Sequence, residues 1–559
     1  MLFEERKKEM QMVKYILPIA CSITIVGCAA QNNTTHFRYQ PPAQEIIAVP
    51  NSVNQSFNND RKIAVLIRRT SFGIVPGDIK YVAEEGTANY LGQQLNPEFI
   101  NDSLCDTMIA ELPVMTMTPR QLYENYPPPF LIKNKFGKDA KIDPRRSTRE
   151  IIRELEIANL IRDVYSERQL QAIMTEFWLN HFNIYAIKGL VPYYLVDFVN
   201  TVRANALGTF PQLLKAVAMS PAMLIYLDNW ESASPNFKSR KRFVVMRLRQ
   251  EWGPFTNRQE LLDRLGAAFF MSQGLNENYG RELMELHTIG LHYTQRDVIA
   301  AARCLTGWTV APIQDGGGFL YDDAMHDKGP KQVLGLHVPA GGGFNDGMEL
   351  LDYLGDSPLA AHFISRELCQ FFLSDNPPAD LVNNTAKVFL ATHGDIKRVL
   401  LSIFTSQVFT SAKYYKYKNP YEYIVSAIRA ADASFYPSKP LFGFVRSMGL
   451  IPFLVNSPKG YSENSASWMD SDLLLEHSNF ALALAKNQIK EIDVNYKEMF
   501  PNGPVGSSLE MERDFSSQVV GSPLDAKTSD VIAEQIRKKD MPLAEIYALL
   551  LDSPEFQER

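Results

Sequence analysis

Residues 276–308, NENYGRELMELHTIGLHYTQRDVIAAARCLTGW, crowd carboxylates, amides, three arginines and two histidines into a stretch whose apolar residues recur at helical spacing. Thr294 and Asp297 form a capping box, in which each side chain accepts from the other's backbone amide, so a second helix begins there. The stretch reads as a helical hairpin. Counted at about 100° per residue, residues 278–289 put Asn278, Glu282 and Glu285 on one face and Tyr279, Leu283 and Leu286 on the core stripe. His287 falls beyond that stripe and does not share a metal ion with the glutamates, unlike the i, i+4 histidines of a zinc-binding helix. Glu277, Arg281 and Glu285 stand four apart, and a solvated ion-pair ladder accounts for them as well as chemistry does.

The helical period continues on both sides. Residues 147–166, 166–187, 193–208 and 208–220 carry apolar residues three and four apart, as do 359–374, 378–394, 395–406 and 420–435. Strand signals occur within residues 316–347, where GFLY (318–321) and KQVLGLHV (331–338) look extended between glycine triplets. The expectation is a mainly α, multi-helix globular body carrying one small β-hairpin insertion. LLKAVAMSPAML (213–224), VLLSIFTSQVFT (399–410) and ALLLDSPEFQER (548–559) echo one another, which fits a shared way of ending a packed helix better than a duplicated unit.

At the N-terminus, Lys7, Lys8 and Lys14 precede the apolar run of residues 15–26, and IVGC (25–28) puts a small residue before Cys28. A positive start, a short apolar core and a small residue at the cleavage point define a secretory signal, and the run is shorter than the roughly 20 residues that span a bilayer. Residues 1–27 are therefore expected to leave as a lipoprotein signal peptide, and Cys28 to carry the lipid. Met10 or Met12 as the start brings the charged region nearer its usual form. Ala29 is not the aspartate associated with inner-membrane retention, so the outer membrane is the expected destination. Residues 28–60 read as a flexible tether with a maximum reach of roughly 100 Å. The body, residues 61–559, is long enough for two packed lobes.

The composition of the whole chain, 45% hydrophobic and 21% charged, is that of an ordinary globule, and its net charge of -6 argues against nucleic acid as a partner. Cys105, Cys304 and Cys369 read as buried thiols, with a Cys304–Cys369 disulfide as the oxidised alternative. No nucleophile elbow, Walker loop or dinucleotide fingerprint is present.

Chemistry is expected in three places. The hairpin offers Glu282, Glu285 and His287 as acid–base groups, with Asn278 and Arg281 as ligand contacts. His181, ending the FWLNHF helix, is either a core histidine bonded to a backbone carbonyl, or a metal ligand or general base, and Asn180 beside it is a further ligand contact. His326 and Asp327 lie in the loop between the two strand candidates, where functional residues concentrate. His181, His326 and Asp327, with Glu282 or Glu285, make a mixed nitrogen and oxygen donor set suited to zinc, manganese or iron. The loop 458–468, PKGYSENSASW, offers Tyr461 and Trp468 to a ligand.

The motifs LIRRTSFGIVPGD (66–78), FWLNHFNIYAIKG (177–189), SPAMLIYLDN (220–229), NENYGRELMELHTIGLHYTQRDV (276–298), RCLTGW (303–308), HDKGPKQVLG (326–335) and SPKGYSENSASW (457–468) together resemble the bacterial DUF1800 family. The resemblance implies a large, mainly helical envelope protein, often encoded beside a sulfatase-like partner, and no established reaction. LLLEHSNF (473–480) places His477 where the family more often carries arginine. Two functions follow as expectations: a metal-assisted hydrolase of envelope or extracellular material, or a non-enzymatic protein that binds a glycan or a sulfatase-like partner. The second differs in requiring the hairpin's polar groups to be spent on structure.

Overall fold

The computed structural model describes residues 34–36, 45–128, 143, 147–237, 274–411, 415–435, 439–490, 492–496, 508–539 and 541–559. The expected signal peptide and Cys28 lie outside the described residues. The helical segments read from the sequence appear as Thr148–Tyr165, Gln169–His181, Leu195–Asn205, Phe210–Ala218, Pro358–Phe372, Ala379–Ala391, Ile396–Phe404 and Pro420–Ala430. Their starts have local causes. Ser357, Asp395 and Asn419 each accept from the amide three residues on, satisfying donors that an α-helix leaves free in its first turn.

Short connections make sequence neighbours pack, so Pro358–Phe372, Ala379–Ala391 and Ile396–Phe404 lie against one another in turn. Thr148–Tyr165 packs on Pro420–Ala430, a helix buried over its whole length. The three echoed segments share a corner: Ser220, Ser406 and Ser553 each stand at the N-cap of the short helix that follows. Thr35–Arg559 forms one compact unit. Part of the tether stretch belongs to it, because Ile47 exchanges backbone hydrogen bonds with the Asn96 side chain at 2.9 Å and Val53 and Phe57 are buried. Among the described residues, no helix is long and apolar enough to cross a membrane.

The β structure differs in detail from the sequence reading. GFLY does not flank KQVLGLHV as its partner; Gly318–Asp322 pairs antiparallel with Trp308–Ala311 instead. Lys331–Val333 folds back on Leu336–Val338 through Leu334 and Gly335, both left-handed, the combination that matches strand twist in a two-residue turn. Trp308–Ala311 escaped notice because all four residues are buried, leaving no alternation to read.

The hairpin is present as Asn278–Glu285 and Gln295–Cys304, with the expected Thr294 and Asp297 capping box. Its first helix is shorter than expected. After Glu285 the chain widens, with the His287 amide reaching the Glu282 carbonyl and that of Ile289 reaching Met284. The 100° count therefore fails beyond that point: Met284, not Leu286, completes the core stripe, and His287, Thr288 and Ile289 turn inward. Cys105, Cys304 and Cys369 are buried free thiols, each pushed up to about 12 by burial, and the Cys304–Cys369 alternative is not formed.

Gly280 sets the closeness of the two hairpin helices. A β-carbon there would lie 2.9 Å from the Ala302 amide nitrogen and 3.0 Å from the Val298 carbonyl oxygen, both rigid backbone. Gly280→Ala is expected to lower unfolding stability by about 1–3 kcal/mol despite alanine's better helix propensity, as read by urea denaturation.

Candidate functional site

The His326–Asp327 loop is held by a buried polar network. His326 Nδ1 donates to the Thr306 carbonyl at 2.8 Å, and Nε2 lies 3.0 Å from Asp346 Oδ2. The Lys331 ammonium bonds the same carboxylate and the Asp327 carbonyl, with the side chains of Lys331 and Asp346 almost wholly inaccessible. Asp327 takes a two-pronged contact from Arg303, at 2.9 and 3.0 Å, and accepts from the Gly329 amide. Burial opposes ionisation of Asp327, but Arg303 and the Gly329 amide outweigh it and hold the carboxyl below the usual aspartate range.

His181 and His287 meet elsewhere, ring centroids 6.2 Å apart. His181 Nε2 donates to the His287 carbonyl at 3.2 Å and Nδ1 lies 2.8 Å from Glu367, so both ring nitrogens are engaged. His287 packs against Phe182 and Tyr279, and neither of its ring nitrogens has a hydrogen-bond partner. Burial, then the neighbouring His181, pulls its pKa down to about 3, so this imidazole stays neutral.

The hairpin's other candidates face different neighbours. Arg281 bonds Gln295 at 2.9 Å and lies 3.7 Å from Glu277, the ladder alternative in part. Glu285 accepts from the Tyr293 hydroxyl. Asn278 reaches the Leu227 carbonyl and Asn276 that of Asp228, which seats the hairpin on the left-handed turn of the SPAMLIYLDN motif. Glu282 makes no side-chain hydrogen bond among the described residues, and burial followed by Glu285 raises its pKa. A cavity of about 330 Å³ adjoins the start of the hairpin, lined by Glu231, Gly274, Leu275, Asn276 and Glu277. The proposed donor set is thus not brought together: His326 and Asp327 share one network, His181 and His287 another. Among the described residues, no group of three or more His, Cys, Asp or Glu side chains is placed to hold a metal ion.

Asn180, Tyr461 and Trp468 do converge. The Asn180 amide accepts from the Tyr461 backbone at 2.8 Å and donates to the Tyr461 carbonyl and to Glu463, pinning the 457–468 loop to the end of the Gln169–His181 helix. Gly460, at φ +72°, allows this approach, since a β-carbon there would sit 2.4 Å from the Asn180 oxygen. Tyr461 and Trp468 rings lie 6.1 Å apart, and Trp468 donates to the Ser462 carbonyl at 2.9 Å.

Residues 65–558 match the family described as a protein of unknown function, DUF1800. The chain belongs to that family. No curated protein and no solved structure matches it. The DUF1800 match takes in every candidate residue except Cys28. Within it, His477 is wholly buried, stacked on Tyr423 at 4.0 Å and 3.1 Å from Gln557, and burial pulls its pKa down to about 4. The histidine at this position acts as a neutral packing group.

Beside the pinned loop of this DUF1800 chain lies a set of carboxylates that sequence reading missed. Glu156 and Asp163 lie seven apart on Thr148–Tyr165 and both are buried; Asp163 accepts from Tyr421 at 2.5 Å, whereas Glu156 shows no hydrogen-bond partner among the described residues. Glu176, half-buried by surface area but deeply surrounded, is pushed up to about 8 by burial and by Asp163, Glu422 and Glu463. Burial pushes Glu156 and Asp163 up to about 7, against the pull of nearby arginines and of Tyr421. The available signal was acidic residues spaced along an apolar helix face, which an amphipathic count assigns to solvent.

Two outcomes are expected. Asp346→Ala leaves the Lys331 charge buried without its partner and costs about 3–5 kcal/mol, read as a fall in melting temperature, whereas Lys331→Met combined with Asp346→Leu loses much less. Carboxyls whose folded pKa is raised bind more protons in the native state, so stability falls as pH rises from the unfolded value near 4.5 through about 8. Glu176→Gln should accordingly gain about 1–2 kcal/mol at pH 8.5 and nearly nothing at pH 4, measured by urea unfolding at both.

Proposed function

We propose that this chain is an exported, lipid-anchored envelope protein that binds and holds a glycan or a sulfatase-like partner rather than hydrolysing a substrate with a bound metal. The observation that carries this reading is the commitment of the candidate ligands to structure. His326 and Asp327 are tied to Asp346, Thr306 and Arg303, and His181 spans Glu367 and the His287 carbonyl. A catalytic metal needs several free donors with an open coordination position. Here the donors close on one another. The hairpin's Asn276, Asn278, Arg281 and Glu285 are likewise spent on backbone carbonyls and neighbouring side chains. Family membership supplies no reaction to set against this.

Elemental analysis of the protein purified without chelator, followed by titration with zinc and manganese, tests the reading. Neither stoichiometric nor saturable metal is expected, and His326→Ala should lower the melting temperature by several degrees through loss of its network. One metal ion per chain, lost in folded His181→Ala or Glu282→Ala protein, would sink the binding reading in favour of metal-assisted hydrolysis.

A further inference from the structure

A concavity of about 1010 Å³ lies far in sequence from the hairpin motifs and is walled by segments from both ends of the body. Arg61 and Arg68, seven apart on Asp60–Thr70, share one face of that helix, and Arg69 and Arg559 complete a cationic wall. Each buried guanidinium is braced. Arg69 is 2% exposed and lies over the Phe409 ring at 5.0 Å; Arg559 stacks on Phe371 at 4.1 Å, donates to the Phe371 carbonyl and pairs with Glu422. Arg68 donates through Nη1 to the Glu555 carbonyl at 3.2 Å, while its Nε, shielded from solvent, has no hydrogen-bond partner.

Held arginine forks lose little freedom when they grip two oxygens of an oxyanion, which suits them to carboxylate, sulfate or phosphate. Like charges this close also repel. Burial, then Arg68 and Arg559, pulls Arg69 down to about 9, and an incoming anion relieves that repulsion. Glu555 and Glu558 on the same wall disfavour a densely charged polyanion. The volume is that of a small-molecule or glycan-end site.

We propose that this cleft binds a hydroxyl-rich ligand carrying one oxyanion group, the arginines gripping the oxyanion and the neighbouring carboxylates and serines taking hydroxyls. The inference names a ligand class for the binding protein proposed above and rests on that reading.

Isothermal titration of the full chain with glucose 6-phosphate and glucuronic acid, against glucose as the uncharged comparator, tests it. At least one charged sugar is expected to bind saturably and glucose not to bind. Arg68→Gln and the exposed Arg61→Glu should each weaken binding by about 10-fold or more, equivalent to about 1.4 kcal/mol. Arg120→Glu, on a separate exposed helix, should leave it unchanged, and unchanged melting temperatures establish that the variants fold. Absence of saturable binding by either charged sugar, or equal affinity in wild type and both cleft variants, overturns the site while leaving the envelope-binding reading intact. Conversion of the bound sugar to product during the titration instead overturns the binding-protein reading and keeps the site.

Discussion

A helix with no face open to water sits at the centre of this protein. Every residue of Pro420–Ala430 is buried, including Glu422 and Arg429, and a buried charge without a partner costs several kcal/mol. Beyond the Asn419 amide that Glu422 accepts from, their partners lie far away in sequence. Glu422 pairs with Arg559, and Arg429 donates to the carbonyls of Gly73 and Val164. Tyr421 donates to Asp163, and Tyr423 stacks on His477. One helix thereby gathers the N-terminal helix region, the long Thr148–Tyr165 helix, the Ser471–Ala485 helix and the C-terminal segment. Glu422 links the carboxylates near Glu176, whose charge it opposes, to the arginines of the large cleft, where it pairs with Arg559.

The polar motifs that stand out in the sequence mark joints in this framework. Asn180 pins a loop, Asn278 and Asn276 seat a hairpin on a turn, and His326 with Lys331 and Asp346 holds the strands against the Phe344–Gly355 helix. In a body assembled mostly from helices of similar apolar character, many packings are close in energy. Buried polar contacts that are satisfied in only one of them discriminate among the alternatives, at some cost in stability.

The helices and one capping box were legible because their causes are local: apolar spacing, an N-cap side chain, a glycine or proline at an end. Thr294 with Asp297 needs only four residues to be recognised. Trp308–Ala311 was not legible, since a short strand buried on both faces lacks a period, and the widened turn after Glu285 shifted His287 from its counted position into the core. The candidate site was legible only in pieces. Asn180, Tyr461 and Trp468 were identified separately and do meet, whereas the carboxylates of Glu156, Asp163 and Glu176 were not singled out, because nothing local in the sequence shows that they are enclosed. The arginine-lined cleft was invisible to a local reading, because Arg68 and the Glu555 carbonyl that braces it are 487 residues apart.

That separation bears on how the chain reaches its native state. The segment at residues 553–559 clasps the Asp60–Thr70 helix through Arg68 and the buried helix through Lys418, which bonds the Phe556 carbonyl across 138 residues. Closing loops of such length is slow, so these contacts form late, after the local helical pairs. Until they do, Arg559 is not in place to pair with the buried carboxylate of Glu422. The clasp thus marks completion: a chain that has not closed it leaves Glu422 without its charged partner and Arg68 without the carbonyl that braces it.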